Sequence, residues 1–197
     1  MIRILCYGDS NTWGSLPFKD VRYDDSRQWP NLLAEKLGGA KVVQEGLCAR
    51  TAGDIDKNKP FRNGQEHFEA IFRSAAPLDL VIIALGTNDF KVKYNRSARE
   101  IFNDLMWYSD KIDSLQSENE GKKEEIMYLA PAAPDVDVPG LNCDRFIWNE
   151  LVELLRSSGK KVLIIDDLEL GEDGLHYTEA AHVSVATELS NMVKEIV

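Results

Sequence analysis

Arg3-Ile-Leu-Cys-Tyr-Gly-Asp-Ser-Asn-Thr-Trp-Gly14 joins an apolar run to a polar turn. From Ile2 to Tyr7 the only polar residue is Arg3. That length and composition predict a strand buried on both faces, as in a parallel sheet. The run stops at Gly8-Asp9-Ser10-Asn11, which is turn chemistry. Open α/β sheets place their ligands outside the carboxyl ends of their strands. Ser10 therefore sits where a nucleophile is useful. A serine there can equally do no more than cap the segment that follows, and this stretch alone leaves both readings open.

The rest of the chain alternates strand and helix signals. Ser15 to Gln28 is polar and aperiodic, a loop or lid beside the first strand's end. Trp29-Pro30 opens a helix with Pro30 in its first turn; Leu32, Leu33 and Leu37 form its apolar face, and Gly38-Gly39 ends it. Lys41 to Glu45 is a short second strand running into Gly46-Leu-Cys-Ala-Arg-Thr51. Asp54 to Gly64 reads as loop and Gln65 to Ala76 as helix. Leu78 to Leu85 is the clearest strand and ends in Gly86-Thr-Asn-Asp89. Ser97, with Glu100 at the capping-box position, opens a helix to about Ser117. A charged connection from Glu118 to Glu125 leads to a strand over Ile126 to Ala130, then a proline-bearing loop from Pro131 to Pro139. A helix over Asp144 to Ser158, a strand over Lys161 to Asp166, a loop over Gly171 to His176 and a helix capped by Thr178 complete the chain. Five such alternations predict an α/β fold: a five-stranded parallel sheet with helices on both faces. No repeat or linker appears, so residues 1–197 read as a single domain.

The chain has 197 residues, 44% hydrophobic, enough for one substantial core. Its net charge of −10 argues against a nucleic-acid partner, which calls for a basic face. No apolar run approaches a membrane span, and Met1 runs directly into the first strand, so neither membrane association nor a secretory leader is expected. The three cysteines, Cys6, Cys48 and Cys143, form no disulfide or zinc pattern. They are read as reduced, which fits a cytoplasmic protein.

In such a sheet four polar segments gather at one edge: Ser10, the Gly46–Thr51 turn, Asn88, and Asp173 with His176. Acyl transfer needs a hydroxyl, a base to take its proton, an acceptor to orient the base, and preorganised donors for the oxyanion. Ser10, His176 and Asp173 supply the first three. A backbone N–H of the second turn, the Asn88 amide and the Ser10 N–H are candidate oxyanion donors. Asp9, Thr12 and Trp13 flank the nucleophile as candidate substrate-binding residues, and Asp9 is also expected to accept backbone hydrogen bonds in the turn. Neither the Gly-x-Ser-x-Gly elbow of α/β-hydrolases nor a P-loop occurs.

The ordered blocks Gly8-Asp9-Ser10, Gly46-Leu-Cys-Ala-Arg-Thr51, Gly86-Thr-Asn-Asp89 and Asp173-Gly-Leu-His176 resemble those of the GDSL/SGNH hydrolase family. The likeness spans most of the chain and is closest to the arylesterase/acyltransferase branch, which shares the Gly-Asp-Ser-x-Thr-Trp-Gly start. It implies a flavodoxin-like three-layer α/β/α sandwich and a Ser10–His176–Asp173 triad. It also implies an oxyanion hole made of the amides of Ser10 and Ala49 and the side chain of Asn88. Many members carry glycine where this chain has Ala49. A main-chain donor permits alanine if φ is negative, and Gly46 is the alternative donor.

The expected function is a serine esterase or acyltransferase that handles small, acetyl-like esters through an acyl-enzyme, with no cofactor and no metal. Its partners are a small acyl ester or an acetylated sugar, and the resemblance suggests a homo-oligomer. A carbohydrate acetyl esterase is the alternative. A metal-dependent phosphoesterase and a non-catalytic binding module are further classes. His67 is read as a surface residue and His182 as structural, with His182 the fallback base. Asp135 and Asp137 are read as solvated, and Asp166 and Asp167 as worse placed than Asp173 for His176. Trp107 and Trp148 are read as packing, and Arg50 as held by an acidic neighbour.

Overall fold

The computed structural model describes residues 1–117 and 124–196. Five strands form one parallel sheet: β1 (Arg3–Gly8), β2 (Lys41–Gly46), β3 (Leu80–Ala84), β4 (Glu125–Leu129) and β5 (Lys161–Leu163). Their order is β2-β1-β3-β4-β5. The chain winds outward from β1 in both directions, so β1 and β3 flank the switch point where such sheets open a crevice.

The alternation of side chains explains why β1 and β3 read as continuous apolar runs. Leu5 and Tyr7 of β1 and Val81 and Ile83 of β3 point to one face. There they meet α3 (Gly64–Ala75), α4 (Ala98–Ser117) and α5 (Arg145–Arg156) through Phe68, Phe72, Tyr108, Ile112 and Leu151. Ile4, Cys6, Leu80 and Ile82 point to the other face, against α2 (Trp29–Lys36) and α6 (Glu179–Lys194). Both faces are covered, so no position in these strands can be polar without an internal partner. Each fully buried aliphatic side chain stabilises by roughly 2 kcal/mol.

Most helix ends follow the sequence signals. Ser97 and Glu100 exchange hydrogen bonds: Glu100 N–H donates to Ser97 Oγ at 3.3 Å and Ser97 N–H to Glu100 Oε2 at 2.8 Å. Asn63, Asp144 and Thr178 cap α3, α5 and α6 with their side chains. Most of the expected charged connection, residues 118–123, lies outside the described residues.

Three expectations are corrected. The third strand is shorter than Leu78–Leu85, although Leu78 and Leu85 are buried beside it. The last strand ends at Leu163 rather than Asp166. It is an edge strand paired only with Met127–Leu129; the ladder closes with Ala130 N–H on the Leu163 carbonyl, and the partner chain then turns away at Pro131. A one-turn helix, α1 (Ser10–Trp13), follows β1 where a turn was read. Among the described residues no helix is long and apolar enough to cross a membrane.

Register sets the functional edge. Gly8 pairs with Gly46 on one side and Ala84 on the other, so β1, β2 and β3 end in one row. α1 then lies directly on the end of β2. A Cβ on Gly46 would stand 2.2 Å from the Trp13 nitrogen and 2.5 Å from its Cα. Backbone cannot yield there as a side-chain tip could. Gly46→Ala is therefore expected to cost about 3 kcal/mol of stability through overpacking. It should also weaken any activity that depends on Ser10, because α1 carries that residue. Chemical denaturation beside wild type checks this, and an unchanged midpoint would remove the close approach as a constraint.

Candidate active site

The turn after β1 is built by Asp9. It caps α1, and its Oδ1 accepts the Asn11 N–H at 3.0 Å. That frees Ser10 from the capping role. Ser10 begins α1, and Gly14 ends it in the left-handed region at φ 87°.

His176 and Asp173 share one tight loop between Leu170 and Tyr177, which pair as an isolated antiparallel bridge. Asp173 Oδ1 accepts the Leu175 and His176 N–H groups at 3.1 and 2.9 Å. Its Oδ2 lies 2.7 Å from His176 Nδ1. Burial pushes the Asp173 carboxyl up, but hydrogen bonds from the His176 backbone and ring and from Leu175 outweigh it, and the group is held below its ordinary value. A carboxylate at Nδ1 places the ring's proton there, which leaves Nε2 as an acceptor. Nε2 is 3.0 Å from Ser10 Oγ. The three side chains expected to act together thus form one hydrogen-bonded chain from Ser10 to Asp173.

Ala49 has a positive φ of 62°, a backbone conformation that disfavours alanine relative to glycine. It occupies the third position of a four-residue turn closed by Arg50 N–H on the Leu47 carbonyl, a position that favours glycine when φ is positive. An L-residue there costs about 1 kcal/mol. The turn is pinned from below. Arg50 is buried, and its Nη1 donates to the Gly8 carbonyl at 2.9 Å and to the Glu45 carbonyl. Its guanidinium lies over the Tyr7 ring at 4.1 Å. Arg50 is thus held by carbonyls and a ring, not by an acidic neighbour as read from sequence.

Asn88 leaves the end of β3 and faces the same turn, its Nδ2 donating to the Arg50 carbonyl at 3.0 Å. Its Oδ1 accepts from Lys91 Nζ at 2.7 Å. Burial holds the Lys91 ammonium below its ordinary value. Asp89 is buried, accepts the Ala52 N–H and is pushed up to about 7 by that burial.

These groups line a cleft of about 400 Å³ that holds Ser10, Trp13, Ala49, Asn88 and His176, with Ser15, Lys19, Asp20 and Lys91 in its walls. Trp13 stands in the wall. Asp9 and Thr12 do not. Asp9 is turned into the α1 cap, and Thr12 is fully buried, its Oγ1 against the Cα side of Gly8. Gly46 is likewise outside the wall, packed on the Trp13 backbone, which favours Ala49 as the second-turn donor.

Two side chains at this site were not read from sequence. Asn11 is buried and spans the histidine: its Nδ2 donates to the Leu175 carbonyl at 3.2 Å, and its Oδ1 accepts the Tyr177 N–H at 3.0 Å. It ties the turn carrying Ser10 to the loop carrying His176. Lys91 is the other. Both partnerships span different loops or a short irregular turn, and no periodicity announces them. The Ser15–Gln28 loop also reaches the site through its backbone, Phe18 N–H donating to Asp173 Oδ2 at 3.2 Å.

The remaining candidates lie elsewhere. His67 is exposed on α3. Asp166 pairs with Arg156, and Asp135 supplies its backbone N–H to Gly174. Trp148 is buried with its indole N–H on the Pro131 carbonyl, and Trp107 packs on Phe68. Among the described residues no three His, Cys, Asp or Glu side chains converge on a possible metal position.

A model of the GDSL-like lipase/acylhydrolase family matches residues 6–196. The fold superposes on an aryl esterase of M. smegmatis with a TM-score of 0.85 and 28% identity, covering 100% of both chains. It superposes on a carbohydrate acetylesterase from Sinorhizobium meliloti with a TM-score of 0.86 and 25% identity, again over 100% of both. A lipase/acylhydrolase from Enterococcus faecalis, 18% identical, shares the fold at a TM-score of 0.71 over 99% of this chain and 96% of that one. No curated protein matches the sequence.

His182, the fallback base, is fully buried on α6, and its Nδ1 accepts the Trp29 N–H at 3.2 Å. Burial pushes its pKa from 6.5 down to about 4. The unfolded chain therefore takes up the proton first as pH falls. The native state keeps its full advantage above 6.5 and loses it towards 4. That gap is worth on the order of 3 kcal/mol. Urea unfolding at several pH values should show wild type losing that much more stability across the window than His182→Gln. Parallel curves would contradict a buried, neutral ring.

Proposed function

This chain belongs to the GDSL-like lipase/acylhydrolase family and is a carboxylic ester hydrolase; on that premise we propose that it cleaves small, acetyl-like esters through Ser10, His176 and Asp173. The observation that carries the reading is the unbroken path of 3.0 Å from Ser10 Oγ to His176 Nε2 and 2.7 Å from His176 Nδ1 to Asp173.

Ser10 Oγ attacks the ester carbonyl while its proton passes to Nε2. Asp173 holds the Nδ1 proton and stabilises the imidazolium. The carbonyl oxygen gains the negative charge and is met by the N–H groups of Ser10 and Ala49 and by Asn88 Nδ2–H, the second proton of an amide whose other bond goes to Arg50. Collapse expels the alcohol, which leaves with the proton from Nε2, and the acyl group stays on Ser10. Water or a second alcohol, deprotonated by Nε2, attacks that acyl-enzyme and regenerates Ser10. Hydrolysis and acyl transfer differ only in which nucleophile arrives.

A cleft of about 400 Å³ suits a short acyl group and a modest alcohol. Acetylated sugars are the second reading. Ser15, Lys19 and Asp20 offer hydrogen-bonding groups for hydroxyls beside the Trp13 ring, and one similar structure is that of a carbohydrate acetylesterase.

Hydrolysis of p-nitrophenyl esters of rising chain length, wild type beside Ser10→Ala, tests the reading. Activity on the acetate should fall by a factor of about 10⁶ in the variant and decline in wild type as the acyl chain outgrows the cleft. Turnover that survives Ser10→Ala would sink the triad. A homo-oligomer is the quaternary reading, supported by exposed Phe18 on the loop that reaches Asp173. Sedimentation should find more than one subunit, and a monomer at all concentrations would remove it.

A further inference from the structure

Asn88 lies between two partners that fix its amide from opposite ends. Nδ2 donates to the Arg50 carbonyl at 3.0 Å, and Oδ1 accepts from Lys91 Nζ at 2.7 Å. A carbonyl offers only lone pairs and an ammonium only N–H bonds. Turning the amide over would set oxygen against oxygen and NH₂ against ammonium, and both bonds would be lost. The Lys91 contact therefore reinforces, from the oxygen end, the orientation that the Arg50 carbonyl sets from the nitrogen end.

Lys91 is itself firmly placed. Its residue forms an isolated bridge with Cys143, and the next N–H, that of Val92, donates to the Asn142 carbonyl. Its side chain lines the cleft that holds Ser10 and His176. A cation on the amide oxygen draws electron density out of the conjugated amide, and the N–H becomes a stronger donor. Chained hydrogen bonds polarise one another in this way, most where water is excluded.

We propose that Lys91 is a positioning residue of the oxyanion hole, whose ammonium locks the Asn88 amide with Nδ2–H towards the reacting carbonyl and strengthens that hydrogen bond in the transition state. The proposal rests on the reading of Asn88 as an oxyanion donor. It makes Lys91 act through Asn88 rather than on the substrate. A lysine that merely bound an acyl or alcohol group would move KM. One that acts through an oxyanion donor moves kcat, because the interaction it supports is made only in the transition state.

The test is a double-mutant cycle on p-nitrophenyl acetate. Asn88→Ala should lower kcat about a hundredfold or more. Lys91→Met keeps the apolar stem and removes the charge; it should lower kcat about tenfold, with KM changed less than about twofold. In the combined variant the Lys91 change should add no further loss, since its partner is gone. Lys91→Gln, which can still donate to Oδ1 without a charge, should fall between wild type and Lys91→Met. It also serves if Lys91→Met folds poorly, which thermal unfolding reveals. Losses that multiply in the combined variant, or a Lys91→Met enzyme with wild-type kcat, would overturn the proposal while leaving Asn88 its role. A wild-type kcat in Asn88→Ala would instead overturn the oxyanion reading, and the Lys91 role would fall with it.

Discussion

The architecture depends on β1 being buried on both faces and hydrogen-bonded on both edges. A strand in that position has no solvent to satisfy its backbone, so parallel partners must do so along its whole length. β2 and β3 meet that demand in a register that stops all three strands at Gly8, Gly46 and Ala84. The loops that leave this row are the first places where polar side chains find hydrogen-bond partners outside the ladder, and they leave it side by side. Ser10, the Ala49 turn and Asn88 are neighbours because the ladder ends where it does.

The edge is held together by polar groups that are themselves buried. Arg50 satisfies the carbonyls of Gly8 and Glu45, stacks on Tyr7 and offers its own carbonyl to Asn88. A buried guanidinium is costly unless its N–H groups find acceptors, and here those acceptors lie at the ends of β1 and β2. Asp89 extends the same network by accepting the Ala52 N–H. Tyr7 and Tyr108 donate to the Gly64 and Ala52 carbonyls from the hydrophobic side. The left-handed backbone of Ala49 persists because its neighbours on both sides are fixed in this way.

The acid–base half of the site is organised differently. Asp173 and His176 lie three residues apart, and one carboxyl oxygen takes two backbone N–H groups while the other takes the ring and the Phe18 N–H. This loop is held by its own hydrogen bonds, and Asn11 joins it to α1 by bonds to the residues on either side of His176. Two local constructions, far apart in the chain, are registered by a single side-chain amide.

The sequence by itself determined the α/β class, the five strands and the capped helices, because apolar periodicity and cap chemistry are local. It also marked Ser10, Asn88, Asp173 and His176, since each follows a strand signal or lies in a short turn with its partner. The three-residue extent of β5 was not legible, because an edge strand's length depends on how far its neighbour runs. Nor was the burial of Thr12, the positive φ of Ala49, the carbonyl cage of Arg50, or the pairing of Lys91 with Asn88 and of Asn11 with the histidine loop. Those depend on how the irregular turns at the sheet's edge fold and on which of them the sheet brings into contact, and only the tertiary structure decides that. Hydrogen-bond partnerships between segments more than a hundred residues apart leave no periodic trace in the chain.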